Sequence, residues 1–102
     1  MDSIVDFDGY AIVNTGGIAL PVTSILLPAY IILDTDCIVI IPDSNPSPSI
    51  AITTPLAATN IGKLLIIKNK AAGVVTLDAS PLASDSVTYL VSTGSSWEDI
   101  TP

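Results

Sequence analysis

Short apolar runs rich in valine and isoleucine, each bounded by proline, glycine or aspartate, recur along the whole chain. Such runs are typical of β-strands, because β-branched side chains suit a pleated surface and the bounding residues form turns. No stretch keeps an apolar period of 3.6 residues between helix caps. Strand-like runs at a spacing of roughly ten residues predict an all-β fold, a β-sandwich or a jelly-roll-like antiparallel barrel. The sequence shows no internal repeat.

The stretch from Gly62 to Asp78 predicts a central hairpin and contains every cation of the chain. Residues 64–67 and 74–77 are apolar runs, and residues 69–73 between them end in a glycine that suits a turn. A lone hairpin is only marginally stable in water, so further strands are expected to complete the fold.

The remaining runs fit a single domain of residues 1–102, in which residues 1–10 form an N-terminal arm or an edge strand. Residues 30–33 and 37–41 are expected to form a second hairpin-like pair around Asp34 and Asp36. The other expected elements are a proline-rich loop at 42–49, one helical turn within 55–60, a loop at 79–86, and final strands at 87–91 and 97–100.

The composition indicates contact with another subunit. Apolar residues make up 49% of the 102 residues, charged residues only 13%, and the mean hydropathy is +0.66. A small domain has much surface to cover, so part of this apolar content is expected to face a second chain. The alternative is a monomer with apolar residues scattered over its surface.

The charge argues against nucleic acid and membrane partners. Three lysines, no arginine and ten acidic residues leave a net charge of −7, and phosphate backbones are bound by clustered cations. Lys63, Lys68 and Lys70 are expected to keep an exposed strand soluble or to meet acidic groups on a neighbouring chain. The most apolar window, residues 25–41, is interrupted by a proline and two aspartates, so two strands explain it better than a membrane span.

The start of the chain and the cysteine add two expectations. The acidic N-terminus has no long apolar run and does not resemble a secretory signal. Cys37 is the only cysteine, so it forms no disulfide within the chain and is expected to be a buried small apolar residue.

The residue types also limit catalysis. The chain has no histidine, which excludes Ser-His-Asp, Cys-His and zinc-histidine sites, and no glycine-rich phosphate loop is present. The pairs Asp34 with Asp36 and Asp6 with Asp8 have the spacing for acid-base chemistry or calcium binding, but such pairs are typical of turns. No enzyme, metal or cofactor is therefore expected.

Five aromatic residues, among them Trp97, leave a carbohydrate-binding module as an alternative. Trp97 and Tyr89, with acids such as Asp85 or Glu98, would form a stacking platform at one end of the fold. The other interpretation of Trp97 is a packing residue, because a small core also needs its aromatics.

From Tyr30 onward the chain resembles small β-structured proteins of bacteriophage virions, namely tail-fibre modules and capsid decoration or cement proteins. The likeness lies in the order of motifs over about 70 residues, each motif being composed of common strand and turn residue types. The motifs are YIILDTD at 30–36, CIVI at 37–40, PLAA at 55–58, GKLLIIKN at 62–69, VVTL at 74–77 and VTYLVSTGSSW at 87–97. The segment DASPLA at 78–83 departs from the family pattern, and residues 1–29 match none of it.

The resemblance implies an all-β module, usually trimeric, without enzymatic activity. The expected function is a homotrimeric capsid decoration protein on the outer surface of the virion, with the major capsid protein as its partner. A tail-fibre or tail-tip module is the alternative, although a chain of 102 residues is short for a fibre with an attachment domain and a shaft. The candidate partner contacts are Phe7, Tyr10, Lys63, Lys68, Lys70 and Trp97, together with the loop at 42–49.

Overall fold

The computed structural model describes residues 4–6, 11–13 and 20–102. The first two segments form strands β1 (Ile4–Asp6) and β2 (Ala11–Val13), which pair antiparallel in a two-stranded sheet. The candidate contacts Phe7 and Tyr10 lie outside the described residues, as does Asp8. The third segment runs without interruption from Leu20 to Pro102.

Nine strands and one 3-10 turn make up this segment. The strands are β3 (Val22–Ser24), β4 (Ala29–Ile31), β5 (Ile38–Ile41), β6 (Ser49–Thr53), β7 (Leu64–Asn69), β8 (Val74–Leu77), β9 (Ser80–Leu82), β10 (Val87–Ser92) and β11 (Trp97–Asp99), and the 3-10 turn is Ala57–Thr59. The prediction of an all-β fold is confirmed, as are the helical turn within 55–60 and the final two strands.

The strands form two mixed sheets. One has five strands in the order β11-β10-β7-β5-β3, and the other has four in the order β4-β6-β8-β9. The pairs β3–β5, β5–β7, β4–β6 and β6–β8 are parallel, while β7–β10, β10–β11 and β8–β9 are antiparallel. The prediction of an antiparallel barrel is wrong, because at least half of the strand pairs in each sheet are parallel and neither sheet closes on itself in the segment 20–102.

The parallel pairs arise because the chain alternates between the sheets. It runs β3, β4, β5, β6, β7, β8, placing odd-numbered strands in the five-stranded sheet and even-numbered strands in the four-stranded sheet. Two consecutive strands, the first in the five-stranded sheet and the second in the four-stranded sheet, form one coil. The strands β3 and β4, β5 and β6, and β7 and β8 thus form three stacked coils. After the third coil, β9, β10 and β11 add antiparallel strands and end the winding.

Both predicted hairpins are wrong for the same reason. β7 and β8 lie in different sheets, and so do β4 and β5. A hairpin loop and a corner between two sheets both need turn-forming residues between apolar runs, so local sequence does not distinguish them. The prediction of a loop at 79–86 is wrong in part, because this segment contains β9, which forms a tight hairpin with β8.

The two sheets share one hydrophobic core. Alternate residues of each strand point inward, as their burial shows in β5, β7 and β10. The buried apolar residues are Ile25, Ile32, Val39, Ile41, Ile50, Ile52, Leu65, Ile67, Ala71, Val75, Leu77 and Leu90. Parallel pairing sets them side by side, with Val39 opposite Ile67 and Ile50 opposite Val75. Cys37, expected to be buried, is only half-buried.

Two buried asparagines hold the corners at one end of the coils. Asn45 donates from Nδ2 to the carbonyls of Ile25 (3.0 Å) and Leu27 (3.1 Å), and its Oδ1 accepts the N–H of Ser47 (3.0 Å). Asn69 repeats the pattern on the next coil, where its Oδ1 accepts the N–H of Ala71 (3.0 Å). Because a corner leaves backbone groups without sheet partners, an amide that both donates and accepts supplies the missing bonds.

The corners approach so closely at Gly73 that no side chain fits. A Cβ there would contact the carbonyl oxygen of Ser47 and lie 2.7 Å from that of Pro48. Both obstacles are backbone atoms of the preceding coil, and the N–H of Val74 donates to the Pro48 carbonyl at 3.0 Å. The stacking distance of the second and third coils therefore depends on a glycine at this position.

We expect Gly73→Ala to lower the free energy of unfolding by about 2 kcal/mol or more, because the corner must move to accept a methyl group. Gly62→Ala is the matched control, since Gly62 has a φ of +79° but a methyl group there would have no atom within 4 Å, and its expected cost is about 1 kcal/mol. Urea denaturation of both variants checks this. Equal losses would show that the close approach is not a constraint.

Candidate functional site

The outer face of the five-stranded sheet is the most unusual surface of the described residues. Eight of its eleven outward positions are apolar, although they point away from the core. The apolar eight are Val22, Ile38, Ile40, Leu64, Ile66, Val87, Tyr89 and Val91, and the others are Ser24, Lys68 and Glu98. We call these eleven residues the outer face.

Register brings the apolar side chains into continuous rows. Val22, Ile38, Ile66 and Tyr89 lie opposite one another across four neighbouring strands. Exposed faces of sheets usually carry polar residues, and strands that are apolar on both sides are typical of sheets covered on both faces. The outer face therefore has the composition of a contact surface.

The outward-facing side of the four-stranded sheet has a different composition. Its outward positions are mostly small or hydroxyl-bearing side chains, namely Ala29, Ile31, Ser49, Ala51, Thr53, Val74, Thr76 and Pro81. Large apolar groups are fewer and are not neighbours in a row. The asymmetry between the two sheets singles out the five-stranded sheet.

The predicted lysine cluster is divided along β7. Lys63 precedes the strand and donates from Nζ to the Asp34 carbonyl, whereas Lys68 donates to the Asp85 carbonyl at 2.7 Å from the far end. The two lysines are five positions apart along the extended chain, which separates them by roughly 16 Å. Lys68 lies within the outer face, while Lys70 is exposed beyond the end of β7. The three lysines thus form no common patch.

Trp97 packs inward. It lies opposite Ser92 on the core side of the sheet, packs against the core cluster, and donates from Nε1 to the Pro55 carbonyl at 2.8 Å. Tyr89 points to the other side of the same sheet, so the two aromatics do not form one stacking platform. The geometry agrees with the packing interpretation of Trp97.

The pair Asp34 and Asp36 lies at the corner between the first and second coils. The buried Asp36 carboxylate accepts three hydrogen bonds, at Oδ1 from the Thr23 hydroxyl (2.8 Å) and at Oδ2 from the Tyr30 hydroxyl (2.6 Å) and the Leu33 N–H (2.8 Å). Asp34 accepts from the Asn60 amide at 2.8 Å. Both carboxylates are thus engaged in holding turns, as the turn interpretation expects.

Burial raises the pKa of Asp36, but the hydrogen bonds from Tyr30, Leu33 and Thr23 outweigh it, and with the charge of Lys63 they bring the pKa below its ordinary value. The hydrogen bond to Asp36 is the main reason that the pKa of Tyr30 is raised to about 12. The carboxylate and the phenol therefore stabilise each other in their charged and neutral forms, respectively.

The part of the chain from Leu20 to Pro102 offers no assembled chemistry. In that segment no group of three acidic or cysteine side chains is placed to hold a metal ion, and every buried side-chain nitrogen or oxygen has a hydrogen-bond partner. The proline-rich loop and residues 72–74 line an open cleft of about 530 Å³, which has Asp43 as its one charged side chain.

No family model, curated protein or solved structure matches this chain. Among the described residues, no helix is long and apolar enough to cross a membrane.

The outer face was missed by sequence reasoning, which selects Lys63, Lys68, Lys70 and Trp97. A signal is present, since residues 38–41 and 64–67 are apolar at every position and not at alternate ones. Uninterrupted apolar runs are typical of strands covered on both faces. Half of each run must then face away from the core, and that half forms the outer face.

We expect Tyr30→Phe to lower the free energy of unfolding by about 2 kcal/mol at pH 7, because a buried carboxylate loses a charge-assisted hydrogen bond. The folded pKa of Tyr30 is about 12, above the unfolded value of about 10. Its stabilising effect is thus complete below pH 10 and is lost as the pH rises towards 12. Urea denaturation at pH 7, 10 and 12 measures both effects.

The contribution of Asp36 has the opposite sign, because its pKa is lowered by folding. It is present above about pH 4, the unfolded value, and is lost as the pH falls through the folded pKa. Tyr89→Phe, which removes a phenol hydroxyl from the outer face, is the control for losing a tyrosine hydroxyl. If Tyr30→Phe were as stable as the wild type at pH 7, Asp36 would not depend on this bond.

Proposed function

We propose that the chain is a non-enzymatic structural protein of a bacteriophage virion. In this proposal it is a two-sheet β-sandwich that assembles as a homotrimer and decorates the outer surface of the capsid. Its partner is the major capsid protein, and the outer face is the surface that binds the shell. The observation that carries the proposal is the apolar composition of the outer face on a small, strongly acidic chain.

The physical case begins with solubility. The chain has a net charge of −7, yet the outer face has one lysine and one glutamate among eleven residues. The charge keeps the free protein dispersed, while an apolar face gains free energy in proportion to the area that it buries. Charge and apolar area are thus segregated, as expected of a protein that is soluble alone and functions when bound.

Rigidity supports the same role. The outer face is built on five paired strands and not on loops, and its inner side is held by the shared core. A preorganised surface loses little conformational freedom on binding. A protein that binds only the assembled shell stabilises that shell by mass action, without any chemical step.

A tail-fibre module is a second candidate, and the three stacked coils favour it. Parallel strands stacked coil on coil are the arrangement of solenoids, which extend along one axis. Immunogold labelling of intact virions distinguishes the two, because a decoration protein labels the head and a fibre module labels the tail.

We expect the purified chain to bind capsids assembled from the major capsid protein of the same phage, and to raise their melting temperature. Co-sedimentation across a range of concentrations measures the affinity. Ile66→Lys places a charge at the centre of the outer face and should weaken binding at least tenfold, since a desolvated unpaired charge is costly.

Thr76→Lys places the same charge on the outward-facing side of the other, four-stranded sheet, and this variant should bind the capsid like the wild type. Circular dichroism confirms that both variants fold. Equal binding by the two variants would rule out the outer face as the contact. Light scattering should give a native mass that is a multiple of three chains, and a monomer at every concentration would exclude the homotrimer.

A further inference from the structure

The first coil, β3 with β4, has two free edges. Among the described strands, β3 pairs only with β5 and β4 pairs only with β6, so each is the last strand of its sheet. The last coil differs, because β9, β10 and β11 continue both sheets beyond it. Free edges expose unpaired N–H and C=O groups that are ready to pair with another chain.

The backbone bonds show which groups are free. β3 is bonded to β5 through the Ile25 N–H, which donates to Ile40 (2.9 Å), and through the Pro21 carbonyl, which accepts from Ile38 (3.1 Å). Because backbone groups alternate sides along a strand, Val22 and Ser24 present theirs to the free edge. In β4 the Ile32 N–H and the Pro28 carbonyl bond to β6, so Ala29 and Ile31 present theirs outward.

Apolar side chains gather around these edges. Six of the eleven exposed large apolar residues among those described lie in residues 20–33, namely Leu20, Val22, Leu26, Leu27, Ile31 and Leu33. Together these six residues expose on the order of 600 Å², against roughly 800 Å² per partner in a stable interface. The first coil therefore supplies most of the area that a specific contact needs.

The charge pattern favours a second copy of the chain. No charged residue occurs from Gly9 to Leu33, although the whole chain carries −7. Two acidic copies repel each other over most of their surfaces, because like charges brought together raise the energy. The first coil is the region where two copies can approach each other without opposed carboxylates.

The geometry lets one two-fold axis serve both edges. The middle residues of the two strands, Thr23 and Tyr30, both donate to the Asp36 carboxylate, so the strand centres lie opposite each other across the core. A two-fold axis perpendicular to the sheets, placed just outside the two edges and level with both centres, sets each strand antiparallel to its own copy. Val22 then lies opposite the Ser24 of the second copy, and Ala29 opposite its Ile31.

We propose that two copies of the chain associate head to head through the free edges of β3 and β4, which joins their sheets into two continuous sheets. This contact is self-complementary and closed, since each of these two edges meets its own copy and is then fully paired. The opposite ends of the sheets, β11 and β9, take no part in it. It goes beyond the proposed function and does not involve the shell. A homotrimer formed through other surfaces becomes a six-chain assembly at this contact.

The test uses Val22→Lys and its matched control Val74→Lys in the full chain. Both valines are well exposed, at 58% and 62%, but Val74 lies on β8, which has a partner on each side. Analytical ultracentrifugation over a hundredfold concentration range gives the number of chains. We expect an even number for the wild type and the control, and half that number for Val22→Lys, with association of the copies weakened at least tenfold.

Ser24→Pro is a second variant that removes an outward N–H and leaves the bonds to β5 in place. It should also halve the mass, and thermal melting confirms that each variant is folded. An odd number of chains in the wild type, or equal masses for Val22→Lys and Val74→Lys, would overturn the inference. A wild-type monomer whose melting temperature falls with Val22→Lys alone would overturn it too, because the edge would then be covered within one chain.

The outcome is independent of shell binding. If the wild type is a two-chain assembly and Val22→Lys is a single chain, the result supports the pairing and contradicts the homotrimer. If the wild type has six chains and Val22→Lys has three, the result supports both. If Val22→Lys kept its mass, the pairing of copies would be wrong whether or not shell binding changed, because Val22 also belongs to the outer face.

Discussion

The buried carboxylate of Asp36 joins the first coil into one unit. It accepts hydrogen bonds from Thr23 in one sheet, from Tyr30 in the other and from the corner N–H of Leu33. Burying a charge is unfavourable unless several donors satisfy it, so these contacts depend on one another. The positions of both edge strands, and hence the free edges of the first coil, follow from this arrangement.

Asparagines act in the same way at the opposite corners, where Asn45 and Asn69 replace the missing sheet partners. Polar groups thus hold the corners, while isoleucine, valine and leucine fill the space between the sheets. Directional bonds determine where the chain crosses from sheet to sheet, and non-directional burial supplies most of the stability. A small fold with long-range parallel pairing needs both.

The apolar outer face and the uncharged first coil suit a molecule that functions in an assembly. The two surfaces are adjacent at β3, where Val22 belongs to both, but they expose different groups. The outer face presents side chains, and the free edges present backbone. A side-chain surface suits a partner of different sequence, whereas a backbone edge with two-fold geometry suits another copy of the same chain.

Local sequence predicts most of the strands, the 3-10 turn and the turn role of Asp34 and Asp36, because strand and turn preferences act over a few residues. The stacking of the coils leaves no repeat in the sequence, since the corners between the sheets differ in length, with four residues before β4, seven before β6 and four before β8. Lys63 and Lys68 are near in sequence yet lie at opposite ends of β7, so the expected lysine cluster does not form.

What the sequence by itself determined is therefore the all-β class, the absence of histidine chemistry and the excess of apolar over charged residues. Only the tertiary structure decided that consecutive strands enter different sheets, and so which apolar side chains face the core and which form the outer face. The physical reason is that a strand has the same local sequence whether its neighbour in the sheet comes from the next run or from the one after it. Pairing is selected by the summed burial of residues far apart in the chain, which no single stretch contains.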